Sequence, residues 1–508
     1  MSDTRFSRLL ILTTTILASG MGFLMGSAVN IALPTIQRAL DVEITVIQWI
    51  ANAYALAISG LILLSGSLGD LVGTRRVYNS GIMVFTIGSL ASGVAPGATL
   101  LVVFRALQGI GAALMIPGSL AIINASFPRE ERGRVIGLWA GVSGAIAALG
   151  PFVGGFLVSI SWRLVFFAMV PLGIVTFVLS LLSVPRVRDR SVERVDWAGA
   201  LLVLVGLAGI SFGLIRLPES TSTLRPAVGI AAGAIALAAF VLQEHRHPNP
   251  LVPFSIFTRL VTAANLATLL LYFAFQAALF LLSFYLQQLL GYTPTTAGLA
   301  LLPATALIAL LSAPSGSLTD RLGPQIQLVA GPLIVAAGLL YLVLAGATGG
   351  SYPARILPGV VLIGAGMVTL IPAITKSALE VPEQLSGTAS GVNNAAARLA
   401  GLLAVTVIGA TLNARFALGL RSHLPGAISD ETRATILARS GELLNLTIPE
   451  AAGPEAREAA EQAIAVSFLE AFRTGLLVAA GAAIAAALVS VVFLRSSRAG
   501  GRDGRGDR

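Results

Sequence analysis

The sequence predicts an all-α integral membrane protein whose chain crosses the bilayer about fourteen times. Three observations carry this. Of the 508 residues, 56% are hydrophobic and only 11% charged, against roughly 25% charged in a soluble domain. Apolar runs long enough to cross a hydrocarbon core of about 30 Å recur along the chain. The basic residues fall in short loops between those runs, the pattern of topology determinants.

The runs lie near 9–33, 46–69, 77–95, 99–123, 135–159, 163–184, 197–215, 226–243, 262–288, 297–319, 325–346, 355–379, 390–414 and 466–494. The first resembles a signal peptide, with Ala18, Ser19 and Gly20 as a cleavage-like site. Its apolar stretch continues to Leu33, so it reads as a retained first helix. Segment 415–465 is mixed in charge and Ala-rich, with an N-cap expected at Asp430 and a separate helical stretch from Pro454 to Gln462. It reads as a small helical cap outside the membrane. The tail 495–508 holds only Gly, Arg and Asp after Ala499, too polar to fold alone and suited to anionic lipid.

Arginine placement sets the orientation. With both termini cytoplasmic, the inside segments carry Arg5, Arg8, Arg75, Arg76, Arg129, Arg132, Arg134, Arg186, Arg188, Arg190, Arg194, Arg246, Arg259, Arg321 and the tail. The short outside loops carry only Arg38, Arg163, Arg216, Arg225 and Arg355. The net charge of +9 is thus a topology signal, and no nucleic-acid partner is expected. With no Cys and three His, neither a disulfide nor a zinc site is expected. The chain has no Gly-x-x-x-x-Gly-Lys-[Ser/Thr] loop, so neither an enzyme nor a cofactor is expected.

One octapeptide recurs. Gly66-Ser-Leu-Gly-Asp70-Leu-Val-Gly73 follows the second run and Gly316-Ser-Leu-Thr-Asp320-Arg-Leu-Gly323 the tenth. A repeat in corresponding loops predicts two homologous six-helix bundles with two helices inserted between them. The expected organisation is 1–190 for the first bundle, 191–258 for the two linker helices, 259–494 for the second bundle with its loop 415–465, and 495–508 for the basic tail.

The repeated loop resembles the signature of the major facilitator superfamily. Leu101-Val-Val-Phe-Arg105-Ala-Leu-Gln108-Gly109-Ile-Gly111 is similar to its fourth-helix motif. Gly150-Pro151-Phe-Val-Gly154-Gly155 is similar to its antiporter motif. Asn30-Ile-Ala-Leu-Pro34, Trp162-Arg163, Val170-Pro171-Leu-Gly173, Asp196-Trp197-Ala-Gly199 and Tyr285-Leu-Gln-Gln-Leu-Leu-Gly291-Tyr292 resemble the fourteen-span drug:proton antiporter branch. The match covers about 9–414, and span fourteen more weakly. It implies the major-facilitator fold, a small hydrophobic or amphipathic substrate, protons as coupling ion, and a chain that works as a monomer in the cell membrane.

The resemblance implies a latch at Gly66, Asp70, Gly73, Arg75 and Arg76, with a degenerate copy at Asp320 and Arg321. A carboxylate at a helix N-terminus gains about 0.3–1 kcal/mol, enough to bias two nearly equal states; the alternative is a solvated turn. Arg105 lies inside an apolar run, where a charge costs about 2.5–3.5 kcal/mol on insertion scales and is functional by default. The resemblance places it at the cavity, with Gln108 on its face as partner; the alternative is an arginine snorkelling to headgroups. Further candidates for substrate or coupling are Asn30, Asn52, Tyr272, Gln276 and Asn393, with Glu470 and Arg473 as gate residues. Trp49, Tyr54 and Trp139 are stacking or packing aromatics. Lys376 and Glu380 are spaced as an i,i+4 ion pair. Gly150, Pro151, Gly154 and Gly155 predict a kinked, closely packed helix.

The sequence departs from the branch at Met25, where the branch has Asp; the neighbouring Thr is Ser27. The carboxylate that would carry a proton is therefore missing from this position. The expected function is secondary active export of hydrophobic or amphipathic compounds, drug-like molecules or lipids, by alternating access. The alternatives are a lipid or lipophile carrier with altered coupling, and a non-transporting membrane scaffold or sensor.

Overall fold

The computed structural model describes residues 4–185, 195–217, 224–247, 250–345, 351–381, 385–425, 428–448 and 453–500. Arg186, Arg188, Arg190, Arg194 and 501–508 of the tail lie outside the described residues. Among the described residues, fourteen helices are long and apolar enough to cross a membrane. They are Ser7–Leu40, Ile44–Val72, Thr74–Val94, Ala98–Ser126, Arg134–Ile160, Leu164–Ser183 and Trp197–Arg216, then Leu224–Arg246, Arg259–Leu289, Pro294–Ser312, Pro324–Ala345, Leu357–Ala378, Thr388–His423 and Pro454–Phe493. We number them spans one to fourteen.

Spans one to six pack on one another, and so do spans nine to fourteen. Spans seven and eight pair together and lean on span two and, through span seven, on span thirteen. The two bundles touch mainly where span ten meets span five and where span thirteen meets span two. With an even number of crossings, both ends of the chain lie on one face, here called the terminal face. The opposite, loop face carries the segment between spans thirteen and fourteen.

That segment differs from the expectation. Span thirteen belongs to a helix that runs from Ser386 to His423, and span fourteen to a single helix from Pro454 to Gly500. Pro454–Gln462 is thus the start of the last helix, with Pro at its first turn where a missing N–H costs nothing. Between them sits a short helix, Asp430–Ala438, whose N-cap is Ser429 and not Asp430; the Ser429 hydroxyl accepts from Thr432 N at 3.3 Å. A 3₁₀ turn, Ser440–Asn445, completes the cap.

The repeated octapeptide is helical up to its last residue. Gly73 and Gly323 take φ of +109° and +78°, and their N–H groups reach the carbonyls of Gly69 and Thr319. A left-handed residue at a helix end favours glycine. One glycine therefore turns the chain at each copy, and Asp70 and Asp320 stand on the last helical turn rather than in a loop.

Span five breaks at Leu149, between the helices Arg129–Ala148 and Gly150–Ile160. Pro151 has no N–H, so the Ala147 carbonyl loses its intrahelical donor. Ser27 of span one supplies a replacement, its hydroxyl lying 2.9 Å from Ala147 O.

Candidate functional site

The bundles are joined at the loop face by neutral amides. Gln48 Nε2 donates to the carbonyls of Val405 and Thr406 at 3.0 and 3.1 Å. Asn52 Nδ2 donates to Thr406 Oγ1 at 2.8 Å. From the other bundle, Gln287 Nε2 donates to Ile31 O at 2.8 Å, and Gln288 Nε2 to Gln37 Oε1 at 2.9 Å. Thr35 donates to Gln287 Oε1 at 3.2 Å. Backbones touch as well. A Cβ on Gly155 would collide with the Pro294 carbonyl, and one on Gly298 with the Pro151 carbonyl. Gly150 and Gly154 serve a different contact, against Ser27 and Ala28 of span one.

The terminal-face half is different. Gly137, Gly141 and Gly144 on span five have nothing within 4 Å of the place a Cβ would take. The same holds for Gly66 at the end of span two. Along span five, the contact between the bundles is thus packed in the loop-face half and bordered by open space in the terminal-face half.

Two arginines flank Tyr54 near the middle. Arg105 is buried to 1% exposure inside the first bundle. Its Nε donates to Ile50 O at 3.2 Å, its Nη1 donates to Gln108 Oε1, and its guanidinium lies 4.3 Å from the Tyr54 ring centre. Gln108 passes the bond on, Nε2 donating to Ser89 Oγ at 2.7 Å. Neither side chain borders open space. Arg398 of span thirteen is only partly buried. Its guanidinium covers the Phe23 ring at 4.7 Å and lies within electrostatic reach of Tyr54 and Tyr272. Among the described residues no carboxylate and no hydrogen-bond acceptor engages it.

The other sequence candidates divide by burial. Met25 is fully buried, so the position of the branch acid is sealed in the apolar core. Asn30 is buried too, and Asn52 belongs to the loop-face seam. Asn393 bonds within the second bundle, to Thr268 at 2.8 Å and Asn265 at 3.3 Å. Tyr272 and Gln276 are partly exposed on the same crevice wall as Arg398, Gln276 Nε2 lying close to Gly401. Trp139 is held by span one, its Nε1 donating to Thr15 O and Ser19 Oγ at 3.2 Å. Trp49 is partly buried.

The sequence profile of the Major Facilitator Superfamily matches residues 15–405. The chain belongs to this superfamily. It is 32% identical to the multidrug resistance protein Stp of Mycobacterium tuberculosis (strain CDC 1551 / Oshkosh), over 95% of this chain and 91% of that one. It is 33% identical to the tetracenomycin C resistance and export protein of Streptomyces glaucescens, over 79% and 76%. In fold it is similar to a bacterial homolog of the human lysosomal transporter Spinster, in an inward-facing and unoccupied conformation. There the TM-score is 0.61 at 17% identity, covering 96% of this chain and 98% of that one. The chain is a multi-pass secondary transporter of the Major Facilitator Superfamily.

The superfamily's signature loops sit as follows. Arg75 Nη2 donates to Leu181 O at 2.5 Å, tying the turn to the end of span six, while Arg76 is exposed. At the second copy, Asp320 pairs with Lys376 at 2.7 Å and Arg321 is exposed. Lys376 thus takes its partner from the end of span ten, not Glu380. Glu470 pairs with His423 at 3.7 Å and lines a loop-face pocket with Arg415 and Arg473. That pocket lies between spans thirteen and fourteen, inside one bundle, so neither Glu470 nor Arg473 spans the crevice.

Sequence reasoning missed three features. Gln48 and the Gln287–Gln288 pair carry the seam; the sequence marks Gln48 only as a carboxamide within an apolar run and Gln287–Gln288 only as part of a branch motif. Arg398 lies near the start of the apolar run 390–414, where an arginine carries no separate signal. Glu244 and Asp196, both buried to 2% exposure, face one another between spans seven and eight. Glu244 accepts from Val252 N and Asp196 from Gly199 N, each at 2.8 Å. Their other oxygens converge over Gly199.

Proposed function

We propose that this chain exports hydrophobic or amphipathic compounds, drug-like molecules among them, by alternating access between bundles 1–190 and 259–494. Segment 191–258 is the inserted pair. The observation that carries the reading is the one-sided crevice, sealed by Gln48, Asn52, Gln287 and Gln288 and open at Gly137, Gly141 and Gly144. A carrier that exposes one central site to each side in turn passes through such a state. The drug-resistance and export roles in its relatives' names support the cargo class. The arginine distribution supports a cytoplasmic terminal face in the cell membrane, which makes this the inward-open state. Asp70, Arg75 and Arg76, with Asp320 and Arg321, then form the latch that closes when the crevice reverses.

The chain has no cysteine, so introduced pairs react cleanly. The test uses Asn52→Cys with Thr406→Cys in proteoliposomes loaded with the neutral dye N-phenyl-1-naphthylamine. The expected result is gradient-driven dye movement that stops when a short bifunctional reagent joins the pair and resumes on cleavage. Movement that continues while the pair is joined would overturn alternating access here.

A further inference from the structure

The transport reading leaves open what the crevice prefers to hold. The charges near its centre are cationic. Spans one, three to six, nine and eleven to thirteen contain no Asp or Glu at all; the helices of spans two and ten contain only Asp70 and Asp320, each on its last turn. A guanidinium placed among apolar helices normally finds a carboxylate or a set of carbonyls. Arg105 has done so, through Ile50 O and Gln108. Arg398 has not. Its guanidinium carbon lies 4.7 Å from the Phe23 ring centre, and Tyr54, itself buried, and Tyr272 stand nearby. Stacking satisfies the face of a guanidinium but leaves its in-plane N–H donors directed outward, in the fork geometry that matches a carboxylate. Gln276, close to span thirteen about one turn further along, adds an amide donor on the same wall.

We propose that Arg398 is the anchor for an anionic group on the cargo, and that the partly exposed Phe23 and Tyr272 hold the apolar ring system attached to it. The site takes aromatic or amphipathic acids in preference to neutral or cationic compounds of the same shape. The proposal rests on the transport reading above. It assigns selectivity to Arg398 and leaves Arg105 as a positioning residue for Tyr54.

The experiment uses three probes with one ring system: pyrenebutyrate, its amide, and pyrenebutylammonium. Binding to the full chain in nanodiscs is read by pyrene fluorescence against empty nanodiscs. The wild type should bind the acid about ten-fold or more tighter than the amide, the size expected for a charge-assisted hydrogen bond. Arg398→Gln should abolish that preference, bringing the acid and the amide to equal affinity. Arg398→Lys, which keeps the charge but loses the planar fork, should retain part of it. Equal binding of acid and amide by the wild type overturns the anchor, as does a preference that survives in Arg398→Gln. Transport is scored separately with the amide. Amide movement by both wild type and Arg398→Gln, with no acid preference, sinks the anchor and leaves transport standing. An acid preference with no movement of any probe does the reverse.

Discussion

The two halves of the crevice between the bundles are built from different materials. Toward the loop face, carboxamides and bare glycine backbones press together. Toward the terminal face, the glycines of span five border open space. The closed half uses no ion pair among the hydrogen bonds described, and this sets its strength. A neutral hydrogen bond is worth about 1 kcal/mol net, and breaking it into water strands no charge. Moreover, Gln48 Oε1, Asn52 Oδ1 and Gln288 Oε1 are buried in the seam without partners. A buried unpartnered acceptor costs about 1–3 kcal/mol, which offsets part of what the bonds contribute. The seam is strong enough to register and weak enough to open, as a reversible gate must be.

That contrast can be broken most severely at Gly155. In Gly155→Leu the side chain meets the Pro294 backbone, so the closed half cannot form. Reactivity of Thr406→Cys toward an aqueous maleimide should rise from near zero to that of an exposed residue, with loss of efflux. A thiol at position 406 that stays unreactive would mean the glycine contact is not what seals the face. Next is Gln48→Leu with Asn52→Leu. Loss of three bonds at about 1 kcal/mol each, offset by removal of two stranded oxygens at about 1 kcal/mol or more each, should open the seam by no more than about 1 kcal/mol, or roughly five-fold in labelling. Gly141→Leu sharpens the comparison from the open side. Thermal stability should stay within about 0.5 kcal/mol of wild type, while efflux falls because the terminal face can no longer close. The smallest effect is expected at Asp320→Asn. The Asp320–Lys376 pair is exposed, and such pairs contribute about 0–1 kcal/mol, so the unfolding midpoint should hardly move. A large drop would show that the second signature copy has a structural role beyond its surface pair.

How much of this was legible follows from how each feature is encoded. The spans are written in local hydropathy and need no partner. The break in span five was legible because Pro151 acts on its own helix. Its repair was not, because Ser27 reaches Ala147 O from another helix. The pairing of Arg105 with Gln108 was legible as a three-residue step along one helix. The seam was not: Gln48 meets Val405 and Gln287 meets Ile31 across most of the chain, and nothing in a helical period registers such a contact. Arg398 misled for a different reason. The extension of its helix back to Ser386 places it about three turns in, where an expected start near 390 left it close to the membrane surface. Glu244 stands within three residues of Arg246 and His247 at a helix end, where an acid looks solvated until span seven closes over it.

The final helix, Pro454–Gly500, runs for 47 residues without interruption. At 1.5 Å per residue it is about 70 Å long, more than twice the hydrocarbon thickness. It therefore stands proud of the membrane on both sides as one rod embedded in the second bundle. Any tilt of that bundle swings both protruding ends in opposite directions, like a rocker arm on its pivot. A pair of spectroscopic labels, one near Glu455 and one near Gly500, would read the rocking of the carrier as a displacement measured outside the bilayer.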